Sequence, residues 1–277
     1  MRRSSLLAGV GLALVLIGCA SARELGDNAY WSSHGLGVVQ SGLQAGKVIR
    51  FLGSGNASME AYVSEPPGAK PGAAVVLFSD IYGFGLNNTR LWADRLAKAG
   101  GFLVVLPDFF RGDALTEATR NTSDAWKLRH PKERVLKDFA ALVPEIKKKW
   151  PSVERIGQQG FCWGGLYSVL LSGPQEPKVD AAVGFHASGL TPEAVAAVTG
   201  PLSLQAADPL LDLKAMNGSF YDSTAKVFAA KRAEGIPAEI KSHPDMPHGF
   251  ALRGNASHAE AAAAAFDAGV AFLKRHI

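Results

Sequence analysis

Cysteine is nearly absent: the 277-residue chain holds two, Cys19 and Cys162. If the N-terminal segment is removed, only Cys162 survives, and one cysteine cannot form an internal disulfide. An oxidising compartment selects against idle exposed thiols, so Cys162 is either a small buried hydrophobe or is kept for its reactivity. Charge is also sparse, at 19% of residues against 47% hydrophobic, with Gly 30 and Pro 15. That composition excludes wholesale disorder, collagen and coiled coil. Net charge is +4, but Arg2 and Arg3 belong to a signal-like segment; without them 27 basic residues face 25 acidic ones, or +2. There is no basic patch with interleaved aromatics, so nucleic acid is not an expected partner. No internal repeat, low-complexity tract or linker follows residue 46.

Residues 1–22 read as a secretory signal. Arg2 and Arg3 form a positive start, residues 6–17 an apolar stretch, and Ala20-Ser21-Ala22 a small-x-small cleavage pattern. The apolar stretch is short for a membrane span of about 20 residues. Leu16-Ile17-Gly18-Cys19 resembles a bacterial lipoprotein box, which leaves a lipid anchor at Cys19 as the alternative. Five of the seven asparagines (Asn56, Asn87, Asn121, Asn217 and Asn255) begin an Asn-x-Ser/Thr sequon, where chance predicts about 0.7. The expectation is a secreted glycoprotein.

Residues 23–46 are Gly- and Ser-rich and suggest an extended arm. Beyond them strand and helix signals alternate. Strands are expected at 47–51, 61–64, 73–78, 102–106, 153–157, 179–185, 201–206 and 238–242. Helices are expected at 88–99, 131–149, 165–171, from Pro192, at 220–233 and at 258–275. Repeated βα units imply an α/β fold in one domain, 47–277, with a mostly parallel sheet covered by helices on both faces.

Gly160-Phe161-Cys162-Trp163-Gly164-Gly165 follows a strand signal and opens a helix. It matches the nucleophile-elbow pattern G-x-S-x-G with Cys as the nucleophile. The nucleophile of such an elbow sits on a strained turn, so its neighbours two positions away must be small. The helix N-terminus behind it favours a thiolate. A hydrolase of this design needs an acid and then a histidine, in chain order. Asp208 directly follows strand 201–206 and is the natural acid; Asp212 is its rival. His248 lies between the last strand and the last helix and is the expected base. His243 reads as packed or solvated, and His186 as a pocket-lining residue. Neither metal nor cofactor is expected. His243, Asp245 and His248 are interrupted by Pro244 and Pro247, and Gly83-Phe84-Gly85 lacks the third glycine of a dinucleotide fingerprint.

With these residues in place, the chain from about 47 to 277 resembles the dienelactone hydrolase (carboxymethylenebutenolidase-like) family of the α/β-hydrolase fold. The resemblance rests on Asp80-Ile81-Tyr82-Gly83, Pro107-Asp108-Phe109-Phe110-Arg111, the Cys162 elbow and His248-Gly249-Phe250. It implies a Cys162, Asp208, His248 triad and an oxyanion hole from the backbone N–H groups of Trp163 and Ile81. It also implies recognition of a substrate carboxylate by Arg111 and Arg253. Asp80 stands where bacterial members place a Glu that helps control the thiol. The implied substrate is a small ester or lactone, anionic in character, cleaved through a thioester, with no protein partner. Phe109, Phe110 and Trp126, with loop 111–130, are candidate pocket walls. A non-catalytic ligand-binding protein and a broad esterase, thioesterase or polysaccharide-active enzyme are the competing readings.

Overall fold

The computed structural model describes residues 42–68, 70–174 and 176–277. The signal segment and most of the arm lie outside the described residues. What is described of the arm is tied down: Ala45 N–H donates to Asp94 Oδ2 at 2.9 Å and Gly46 N–H to the Tyr62 hydroxyl at 2.7 Å.

The strands are β1 (Lys47–Leu52), β2 (Ser58–Ser64), β3 (Ala73–Phe78), β4 (Leu103–Pro107), β5 (Arg155–Phe161), β6 (Ala181–Phe185), β7 (Leu202–Ala206) and β8 (Ala238–Ser242). They form an eight-stranded sheet in the order β1-β2-β4-β3-β5-β6-β7-β8. β1 and β2 pair antiparallel, β2 joins β4 antiparallel, and every other pairing is parallel. The helices are α1 (Asn87–Gly100), α2 (Ser123–Arg129), α3 (Lys132–Lys149), α4 (Trp163–Leu171), α5 (Pro192–Ala196), α6 (Gly218–Ala233), α7 (Phe250–Arg253) and α8 (Ala259–His276).

The six residues of β3 are all buried, and they alternate between two cores. Ala74, Val76 and Phe78 face a core with Phe139 and Leu142 of α3, Tyr167 of α4 and Phe228 of α6. Val75 and Leu77 face a core with Trp92 and Leu96 of α1 and Phe266 and Leu273 of α8. A strand buried on both faces reads as an unbroken apolar run because helices cover both sides.

Most elements fall where the pattern puts them; α2 (Ser123–Arg129) forms inside the expected loop 111–130, and β5 ends later than expected. The apolar signal stops at Gly157, but the strand runs on through Gln158 and Gln159 to Phe161. Both glutamines are fully buried, and Gln159 Oε1 accepts from Trp92 Nε1 at 2.8 Å. A polar side chain with a partner in a second layer looks like a strand end from the sequence and is not one. The chain moves from β3 to β4 on one side of the sheet and to β5 on the other. This reversal opens a crevice at the strand carboxyl ends, where open α/β sheets hold their ligands.

Candidate active site

β5 delivers Cys162 to that crevice. Its backbone takes φ 52° and ψ −112°, a strained conformation for a residue with a Cβ, and α4 begins at the next residue. The surrounding glycines are obligatory. A Cβ on Gly160 would lie 2.1 Å from the Gly164 carbonyl oxygen, and one on Gly164 would lie 2.4 Å from the Phe78 carbonyl oxygen. The turn is pinned to the end of β6: Cys162 N–H donates to Phe185 O, and Cys162 O accepts from Gly165 N and Ser188 N, each at 3.0 Å.

His248 meets the thiol. Its Nδ1 is 2.9 Å from Asp212 Oδ2, which leaves Nε2 for the sulfur. Burial pushes the Cys162 thiol up, but the charge and hydrogen bond of His248 outweigh it, and the thiol lies below its ordinary value. Burial likewise pushes His248 down, while Asp212 and the thiolate together hold it well above the usual histidine range. Both shifts run in the direction that favours a thiolate facing an imidazolium.

The carboxylate that meets His248 is that of Asp212, not that of the expected Asp208. Asp208 starts a turn in which the Asp212 N–H donates to its carbonyl at 2.8 Å, so the chain makes one helical revolution before it presents a carboxylate to His248. The Asp208 carboxylate is already engaged: Oδ1 accepts from Leu210 N and Oδ2 from Asp245 N, each at 2.8 Å. Asp208 thus laces the loop after β7 to the loop that carries His248.

Of the two expected carboxylate-binding arginines, Arg111 is elsewhere. Its backbone is left-handed (φ 52°), and it lines neither of the two cavities at the crevice. Its side chain grips the fully buried Asp138 of α3 in a bidentate pair, at 2.9 Å for each bond. Arg253 does line the crevice, together with Ile81, Tyr82 and Cys162. Its charge is met by Asp80, whose Oδ2 lies 2.7 Å from Arg253 Nε; the two approach as an ion pair without the alignment of a hydrogen bond. The guanidinium also lies over the Tyr82 ring, 5.0 Å from its centroid. Asp80, fully buried, raises the thiol by its charge, and Arg253 offsets that charge.

Trp163 N–H is the first of α4, and a helix has no internal partner for its first amides. Ile81 lies in the turn after β3, and its carbonyl accepts from Leu115 N at 2.9 Å. Two cavities meet here. One, of about 570 Å³, is lined by Trp163, Leu166, Tyr167, His130 and Ser188; the other, of about 750 Å³, by Ile81, Tyr82, Cys162, Asn121 and Arg253. His248 and Lys214 line both.

Phe109, Phe110 and Trp126 are not among the residues lining either cavity. They are buried, with Phe110 4.7 Å from both Trp126 and Trp163 between ring centroids. Phe110 and Trp126 back the Trp163 wall instead, and Phe109 packs on Phe78. His243 is packed, with Nε2 2.9 Å from Gln205 Oε1 and its pKa pushed down to about 4 by burial. His186 is not a lining residue. It is buried behind His248, with ring centroids 5.0 Å apart, and burial holds it neutral.

Sequence reasoning missed Ser188 and Lys214, because a lone serine or lysine in a loop carries no motif. Only the fold brings Ser188 to 3.5 Å from the Cys162 sulfur.

Comparison with known proteins agrees with this architecture. The profile of the dienelactone hydrolase family matches residues 59–277. A hydrolase of Aspergillus violaceofuscus, pyvD, is 28% identical over 247 residues, covering 87% of this chain and 94% of that protein. A carboxymethylenebutenolidase homolog of Xenopus tropicalis is 29% identical over 201 residues, covering 71% and 77%. A putative dienelactone hydrolase from Klebsiella pneumoniae superposes with a TM-score of 0.68 at 20% identity, covering 83% of this chain and 98% of that one. With an eight-stranded sheet, an elbow at its carboxyl edge and a family profile spanning most of its length, the chain belongs to the dienelactone hydrolase family: it has the α/β-hydrolase fold and is a hydrolase acting on ester or lactone bonds.

Proposed function

We propose that this protein cleaves small esters or lactones through a Cys162 thioester, with His248 as the proton carrier and Asp212 as its orienting acid. One observation carries the reading: the contiguous line from the Cys162 elbow through His248 to the buried Asp212.

The thiolate attacks the carbonyl carbon, and the C=O electron pair moves onto oxygen. The amides of Trp163 and Ile81 face that oxyanion; a lost donor of this type typically costs about 3–4 kcal/mol of transition-state stabilisation. When the carbonyl re-forms, the C–O bond breaks and the leaving oxygen takes the proton of His248. Water then attacks the thioester while His248 accepts its proton. The C–S bond breaks, and its electron pair returns to sulfur.

An anionic substrate remains part of the proposal, but its support differs from the sequence expectation. Arg111 is committed to Asp138, and Arg253 is paired with Asp80. Lys214, which lines both cavities, is the cation we assign to a substrate carboxylate. A non-catalytic binding role is not favoured, since a ligand pocket alone has no need of a strained cysteine facing an ion-paired histidine.

The deciding experiment assays chain 23–277 on a chromogenic ester and a dienelactone beside Cys162→Ala. Turnover by the parent alone supports the thiol mechanism. Equal turnover by the variant refutes it. Secretion with glycosylation is proposed alongside. Four of the five sequon asparagines, Asn56, Asn121, Asn217 and Asn255, are exposed, as a glycan requires. A mass loss on endoglycosidase treatment of the protein secreted from its native cells checks this.

A further inference from the structure

The thiolate has a second partner besides His248. Ser188 follows β6, and its Oγ is 3.5 Å from Cys162 Sγ, inside the range of a hydrogen bond to sulfur. Its own backbone N–H donates to Cys162 O at 3.0 Å, so elbow and serine are fastened at two points. The residue also lines the cavity of Trp163 and Tyr167, where substrate would lie. A hydroxyl held this way can donate to an anion, and a charge-assisted bond is stronger than a neutral one.

We propose that Ser188 is a further catalytic residue, a hydroxyl donor that stabilises the Cys162 thiolate at rest and again as it leaves the thioester. The inference rests on the proposed thioester chemistry for its second half only. When the S–C bond forms, sulfur loses the negative charge that made it a good acceptor. When water has added and the C–S bond breaks, the electron pair returns to sulfur and Ser188 Oγ–H donates to it again. Ser188 keeps its proton throughout; His248 carries the only proton that moves.

The groups around the sulfur divide as follows. His248 and Ser188 favour the anion, Asp80 opposes it, Arg253 offsets Asp80, and the neutral ring of His186 stands behind His248. Ser188 is the uncharged contributor among those favouring the anion, so its removal leaves the net charge of the site unchanged.

The test is the pH dependence of Cys162 alkylation by iodoacetamide in the parent, Ser188→Ala and Ser188→Thr. Below the midpoint, Ser188→Ala should react roughly tenfold more slowly, as expected for one lost hydrogen bond to a charged group. Ser188→Thr, which keeps the hydroxyl, should recover the parent profile. On the chromogenic ester, Ser188→Ala should show a burst, because thiolate departure slows more than attack. Should Ser188→Ala not fold, Ser188→Gly removes the same hydroxyl and gives the same readout. A Ser188→Ala or Ser188→Gly profile that superimposes on the parent overturns the proposal. The thiolate readout does not depend on substrate. A parent that alkylates at low pH but turns over no ester would refute the thioester reading and leave the alkylation comparison to judge Ser188.

Discussion

Replacing Asp212 by Asn should abolish most turnover, whereas replacing Asp208 by Ala should cost stability and spare the chemistry. Asp212 Oδ2 lies 2.9 Å from His248 Nδ1, with side-chain exposures of 2% and 13%. At an effective dielectric near 20, charges about 4 Å apart interact by about 4 kcal/mol. Loss of that stabilisation of the imidazolium corresponds to a rate loss on the order of 10³-fold. Exchange of an orienting aspartate for Asn in a related triad costs about 10⁴-fold, because the amide also selects the wrong tautomer. The expected range for Asp212→Asn is therefore roughly 10³- to 10⁴-fold in kcat/KM, with Tm nearly unchanged. Asp208→Ala removes two backbone hydrogen bonds, those from Leu210 and Asp245. Their loss costs about 2 kcal/mol, or roughly 4–8 °C in Tm for a domain of this size. The assay is ester hydrolysis beside a thermal melt for both variants. Folded Asp208→Ala as inactive as Asp212→Asn would refute the assignment drawn from the histidine geometry.

Three further outcomes follow from the same contacts. Arg253→Met leaves Asp80 a buried, unpaired carboxylate, which should cost about 3–5 kcal/mol; the double variant Asp80→Asn, Arg253→Met should recover at least half of the lost Tm, and no recovery would show that the pair is not coupled. His186 is buried, and burial holds it well below the ordinary histidine value. The unfolded chain therefore takes up its proton first, and stability falls as pH drops below about 6.5. His186→Phe should keep Tm at pH 7 and lose less of it between pH 7 and pH 5; a melt series showing an unchanged acid slope would contradict this. Arg111→Ala should lower Tm, at a cost of about 1–3 kcal/mol, and leave KM equal to the parent's for both anionic and neutral esters. A KM rise confined to the anionic ester would return Arg111 to the binding site.

Much of the fold was legible because burial on both faces of a parallel sheet writes itself as runs such as 73–78, and amphipathic helices separate those runs. The elbow was legible for a related reason. Gly160 and Gly164 are required by backbone oxygens 2.1 Å and 2.4 Å from where a Cβ would be, so steric necessity appears as sequence. The extension of β5 was not legible, because Gln159 gains its partner from Trp92, 67 positions away.

By itself, then, the sequence determined the fold class, the elbow at Cys162 and the place of His248 after the last strand, since each depends on local periodicity or on a turn that admits few residues. The choice of Asp212 over Asp208 belonged to the tertiary structure, because one helical revolution decides which carboxylate faces His248. So did the commitment of Arg111 to Asp138, the pairing of Asp80 with Arg253 and the contact of Ser188 with the sulfur. Charges and hydroxyls act through a few ångströms of direction-dependent space, and sequence spacing does not encode that direction until the sheet has brought the loops together.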